Sequence, residues 1–143
     1  MPTYPPSPEA WAREFAEESR RAQSIGQRGL LVAGASSVTA GLVLQSLGVL
    51  IAGTAALPDA AKVTLLLALI CFLVAAICGV ITNVTAPGAP SGVYGVSDID
   101  LERSLTTARS KNTSNTTTLV IGLVAEAAGM ALVALTAGLL VFK

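Results

Sequence analysis

The sequence contains no histidine, which removes imidazole as a haem ligand, a zinc ligand or a general base. Its two cysteines, Cys71 and Cys78, stand seven apart with no CxxC pattern, too far along one helix to bridge each other. They are expected to be buried small apolar residues. Charge is also scarce, at 13 % of residues against roughly 25 % in an ordinary soluble domain. Nine Lys+Arg are balanced by nine Asp+Glu, so no positive excess is available for a phosphate backbone and nucleic acid is not an expected partner. No phosphate loop, dinucleotide fingerprint, paired-carboxylate site or nucleophile with its base is present. Neither enzymatic activity nor a cofactor is expected.

What the sequence has in quantity is apolar side chains, 52 % of 143 residues, a length that suits one domain. Long apolar stretches at residues 30–57, 63–82 and 119–142 each approach or exceed the roughly 20 residues a helix needs to cross a bilayer. The pattern predicts an all-α integral membrane protein. It places transmembrane helices at 29–57, 63–82 and 119–142, an amphipathic helix within residues 1–28, and a loop at 83–118 carrying a helix at about 98–112. The first 28 residues are polar and contain Pro2, Pro5, Pro6 and Pro8, which excludes a signal peptide. The connection at residues 58–62 is short enough to force a tight antiparallel hairpin. Arg13, Arg20, Arg21, Arg28, Arg103, Arg109 and Lys111 fall on one side of the spans, and Lys62 and Lys143 on the other. This asymmetry puts the N-terminus and the longer loop in the cytoplasm and the C-terminus outside. Abundant Ala, Gly, Val and Thr with few Lys points to a bacterial inner (plasma) membrane.

Ser7, Pro8 and Glu9 form a helix start: an N-cap, a first-turn proline and an acid matched to the helix dipole. The helix they open, reaching about Gln27, carries Trp11, Phe15, Ala22 and Ile25 on one narrow stripe. That stripe suits either a helix at headgroup level, with Trp11 and Phe15 as anchor and Arg20, Arg21 and Arg28 beside anionic lipid, or packing on the chain's own second loop or a neighbouring subunit. Prolines and glycines from Pro87 to Gly95 mark a linker, and Ser97-Asp98-Ile99-Asp100 has the form of a capping box. The weak helix formers Asn112–Thr118 predict a kink or turn at about 111–116 and a polar collar at the membrane boundary. Sequons begin at Asn83, Asn112 and Asn115, all on the predicted cytoplasmic side.

Glu126 is the sole ionisable residue well inside a predicted span. It is a candidate proton carrier, cation ligand, interhelical hydrogen bond or contact to another protein. Gly122, Glu126, Gly129, Val133 and Ala137 share one helical face, whose small residues admit a close neighbour. In the first span Gly34, Gly41 and Gly48 recur every seven residues beside Ser37, with Gln45 at the stripe's edge, a spacing that favours a close left-handed crossing. Because Ser36, Ser37 and Thr39 reach about the depth of Glu126, a hydrogen bond from Glu126 to Ser37 or Thr39 is expected, within one subunit or between two. The second span, with Cys71, Ala75 and Gly79 at every fourth position, reads as lipid-facing with one packing ridge. The resulting functional expectation is a homo-oligomeric channel- or pore-type assembly with Ser37, Gln45 and Glu126 as polar positions and the cytoplasmic helices as its sensing or gating part. An accessory subunit of a larger membrane complex is the alternative, and a lipid-reading anchor the third.

Overall fold

The computed structural model of the chain describes residues 7–52, 57–84 and 98–141. They form three helices and no strand: α1 (Pro8–Ala52), α2 (Asp59–Val84) and α3 (Asp98–Val141). All three are long and apolar enough to cross a membrane, an architecture compatible with a multi-pass membrane protein. Their outward surface is correspondingly apolar, with Leu30, Leu31, Val38, Leu66, Leu73 and Val124 exposed. Water would oppose such a surface, whereas hydrocarbon would not.

The helices are longer than the sequence divisions predict. With 45 and 44 residues, α1 and α3 run to about 67 Å at 1.5 Å per residue. Helix runs without interruption through residue 28, where the predicted N-terminal helix and first span are divided, and through 111–116, where a kink or turn is expected. Through the second of these, Thr113, Thr116, Thr117 and Thr118 each donate to the carbonyl four residues back, at 2.8–3.2 Å. Such bonds occupy the hydroxyls but do not themselves favour helix, so the continuity comes from packing along the seam of Asn112, Asn115 and Leu119. The hairpin boundary also moves. Described helix in α1 ends at Ala52, Leu57 and Pro58 are non-helical, and α2 begins at Asp59 rather than Val63. Lys62 N–H donates to Pro58 O at 3.1 Å, and Lys62 pairs with Asp59 at 2.8 Å, closing the first turn. At the other end Ser7 caps α1 as its sequence implies, its Oγ accepting from Ala10 N–H at 3.3 Å. The linker 87–95, Ser97 and Lys143 lie outside the described residues.

On every helix most buried positions fall on one register of alternating four- and three-residue steps, with some steps of the register skipped. On α1 they are Trp11, Phe15, Ala22, Ile25, Val32, Ser36 and Val43; on α2, Ala61, Leu65, Ala68, Phe72, Ala75 and Thr82; on α3, Leu101, Leu105, Asn112, Asn115, Leu119 and Thr136. A 3.5-residue repeat keeps one seam facing its neighbours only if the helices wind left-handed about each other. Residues 14 and 32 of α1 meet 109 and 122 of α3, so these two run parallel. Residues 29 and 43 of α1 meet 79 and 65 of α2, which is therefore antiparallel to both. α2 is the central packing partner of the other two, with Ala61, Ala68 and Ala75 wholly buried. The ridge expected on α2 does exist at Ala75 and Gly79, but Cys71 sits on its flank, half-buried.

Glycine sets the closest approach. A Cβ on Gly29 would stand 2.8 Å from Gly79 O, and one on Gly79 would stand 2.8 Å from Ala33 N. Backbones of α1 and α2 thus touch where no side chain fits. The first 20 or so residues of α1 and α3 project past the end of α2 as a two-helix pair, about 30 Å long. A cluster of Trp11, Phe15, Leu101 and Leu105 closes its tip, each side chain contributing about 1.5–3 kcal/mol on burial.

Candidate functional site

Polar side chains enter the seam at three levels. In the projecting pair, Asn112 is wholly buried and its Nδ2 donates to both Glu18 Oε2, at 2.8 Å, and Glu18 O, at 3.1 Å. Arg109 lies over this pair from the solvent side, 3.0 Å from Glu14 Oε2 and 3.5 Å from Glu18 Oε1. The collar expected at Asn112–Thr118 is therefore turned partly inward: Asn112 and Asn115 face protein, which also shields both sequon asparagines. At the far end of the bundle, the hydroxyls of Thr64 and Thr136 share a 2.7 Å hydrogen bond. Between these levels lie Ser36, buried, and Glu126, half-buried.

The predicted bond from Glu126 to Ser37 or Thr39 is not formed within the chain. Ser37 Oγ donates to Ala33 O at 2.7 Å and Thr39 Oγ1 to Ala35 O at 2.9 Å. The reason is rotational. The helix face carrying Ser37 lies well round from the buried line of Val32, Ser36 and Val43. The hydroxyl at the level of Glu126 that points into the core is Ser36, which belongs to the four-and-three series of buried residues and is detectable in the sequence by that spacing.

The two glycine stripes also part company. Gly122 and Gly129 are buried as predicted, but against α2: a Cβ on Gly122 would stand 3.0 Å from Cys78 Cβ, and one on Gly129 2.8 Å from Phe72 Cε1. By contrast, no described residue lies within 4 Å of a Cβ on Gly34, Gly41 or Gly48. That stripe looks outward, together with exposed Ser37 and Gln45, and Gln45 makes no side-chain hydrogen bond with any described residue. A groove of about 340 Å³ opens between α1 and α3, lined by Thr39, Val43, Ser46, Leu65, Val133 and Thr136 among others.

Trp11 and Phe15 are buried against Leu101 and Leu105, so the stripe meets the chain's own second long helix, the packing alternative of the two readings. Arg20, Arg21 and Arg28 are exposed. The described residues hold no group of three or more His, Cys, Asp or Glu side chains placed to bind a metal ion. Compared with known protein families, curated proteins and solved structures, the chain matches none.

Proposed function

We propose that this chain is a non-enzymatic membrane subunit that assembles with copies of itself through the outward face of α1, forming a channel- or pore-type assembly. The paired helices at residues 8–28 and 98–118 act as its cytoplasmic sensing or gating part. The carrying observation is the open stripe of Gly34, Gly41 and Gly48 with the exposed, unpaired Gln45 beside it. An amide facing hydrocarbon without a partner costs roughly 2–7 kcal/mol by the reference chosen. A second copy crossing at the glycines brings its own Gln45 within reach, and two amides satisfy each other. The interior of one chain is filled by Val43, Leu65, Ala68 and Phe72, so any aqueous path runs between copies, along Ser37 and Gln45.

The topology within this reading has the N-terminus in the cytoplasm and the C-terminus outside, in a bacterial inner membrane. Its support is that Arg13, Arg20, Arg21, Arg28, Arg103, Arg109 and Lys111 all stand at one end of the bundle, with Lys62 at the other. Cysteine cross-linking in a Cys71→Ala/Cys78→Ala background tests the assembly. Gly41→Cys and Gln45→Cys are expected to give disulfide-linked dimers in vesicles, Ser36→Cys none, and Gly41→Leu to lower the oligomer fraction in native mass spectrometry. Monomers at every concentration, with no ion flux across vesicles, refute the reading. A stoichiometric foreign polypeptide on the same face would instead establish the accessory-subunit alternative.

A further inference from the structure

We propose that Ser36 and Glu126 form a site for one exchangeable positive charge, a proton or a monovalent metal ion, inside the three-helix core. The Ser36 hydroxyl is 0 % exposed and has no hydrogen-bond partner among the described residues. The other two buried hydroxyls behave differently: Thr82 donates to Cys78 O at 2.7 Å and Thr136 to Leu132 O at 2.9 Å. Ser36 has thus left its own backbone unused and points into the seam. Glu126, on the packed face of α3 with Gly122 and Gly129, is likewise without hydrogen bond or ion pair among the described residues.

The two share a level. Val32 approaches the Cβ position of Gly122 to 3.6 Å, and one turn further along these parallel helices come Ser36 and Glu126. On α2 this level is occupied by Ala75 and Phe72, both buried and apolar. Two polar groups face one apolar layer without bonding each other, which is the arrangement a small bridging species completes. Charge identifies that species. On α1 the nearest basic side chain is Arg28, eight residues or about 12 Å of rise from Ser36; on α3 it is Lys111, fifteen residues or about 22 Å from Glu126. The ionisable groups of α2 near this level are the thiols of Cys71 and Cys78, which bring no positive charge. No cation among the described residues neutralises Glu126, so a proton or metal ion from outside does so. Ser36 Oγ serves either guest, accepting a hydrogen bond from the protonated acid or lending a neutral oxygen to the ion. The inference rests on the helices crossing a membrane and is independent of self-association.

Dicyclohexylcarbodiimide, an apolar reagent, tests the site in the full chain reconstituted in phosphatidylcholine vesicles. A protonated carboxyl adds its O–H across the reagent's C=N bond, and the acylisourea rearranges to a stable N-acylurea without a leaving group, so mass spectrometry locates the adduct. The expected result is an adduct on Glu126 whose rate falls about tenfold per pH unit above its midpoint. It is retained in Glu126→Asp at that position and lost in Glu126→Gln. Several-fold slowing by NaCl but not by choline chloride at fixed pH assigns a metal ion; equal rates in both salts assign a proton alone. Ser36→Ala is expected to change the pH midpoint or the sodium protection by roughly 3–10-fold, one hydrogen bond's worth. Absence of an adduct on Glu126 throughout, or a Ser36→Ala protein indistinguishable from the parent, overturns the proposal. Repeating the measurement on monomer in detergent separates its failure from that of the oligomer reading.

Discussion

Gly79→Ala is the sharpest test of the packing, because a single methyl meets backbone rather than a side chain that can swing aside. The added carbon would stand 2.8 Å from Ala33 N and 3.0 Å from Ala33 Cβ, and would also press on Gly29 O. Ordinary contact needs about 3.5–4 Å, so α1 and α2 must separate locally by roughly 1 Å. The strain and lost contacts of such overpacking amount to about 1–3 kcal/mol, while Ala gains at most ~1 kcal/mol over Gly in helix propensity. The expected net is a loss of up to about 2 kcal/mol. Gly41→Ala is the control: with nothing near its Cβ, only the propensity gain applies within one chain, and stability should be unchanged or higher by up to ~1 kcal/mol. Reversible unfolding in mixed micelles, followed by circular dichroism as the denaturing detergent fraction rises, measures both. A Gly79→Ala protein that gains as much stability as Gly41→Ala would refute the backbone contact and with it the register of α1 on α2.

Asn112→Ala strips Glu18 of two hydrogen bonds from a wholly buried amide. It is expected to destabilise the projecting pair by about 1–3 kcal/mol, read as faster amide exchange in residues 8–28 with the α2 amides unaffected. Arg109→Ala removes contacts to Glu14 and Glu18 made by a side chain 55 % exposed. Its cost should stay within about 1 kcal/mol and shrink as salt is added; a larger, salt-insensitive loss in a melting experiment would contradict the solvent-screened placement.

The helical class and the positions of the three apolar helices are legible in the sequence because length and hydropathy alone decide them. The core is legible too, although through a different signal. Leu101, Leu105, Ala108, Asn112, Asn115, Leu119, Gly122, Glu126 and Gly129 run four-three-four-three without interruption, so the seam passes unchanged from polar to apolar segment. Local propensity at Asn112–Thr118 argues for a break, and the tertiary seam overrides it. Depth was equally readable, since Ser37 and Thr39 do lie near the level of Glu126. Rotation was not: glycines at sevenfold spacing mark a face that accepts a neighbour, but spacing cannot say whether that neighbour belongs to the same chain. The placement of Gly29 against Gly79, and of Val43 against Leu65, shows which side of α1 looks inward.

Because α1 and α3 continue without a joint from the Trp11–Leu101 tip into the apolar bundle, the two ends of each rod are mechanically one body. A lean of 5° about the midpoint of a rod some 67 Å long carries each end sideways by about 3 Å. A force applied at the Trp11–Leu101 tip is therefore delivered to the outward-facing glycines undiminished by any elbow, and inserting a proline or a pair of glycines near residue 28 would slacken that lever while leaving both halves folded.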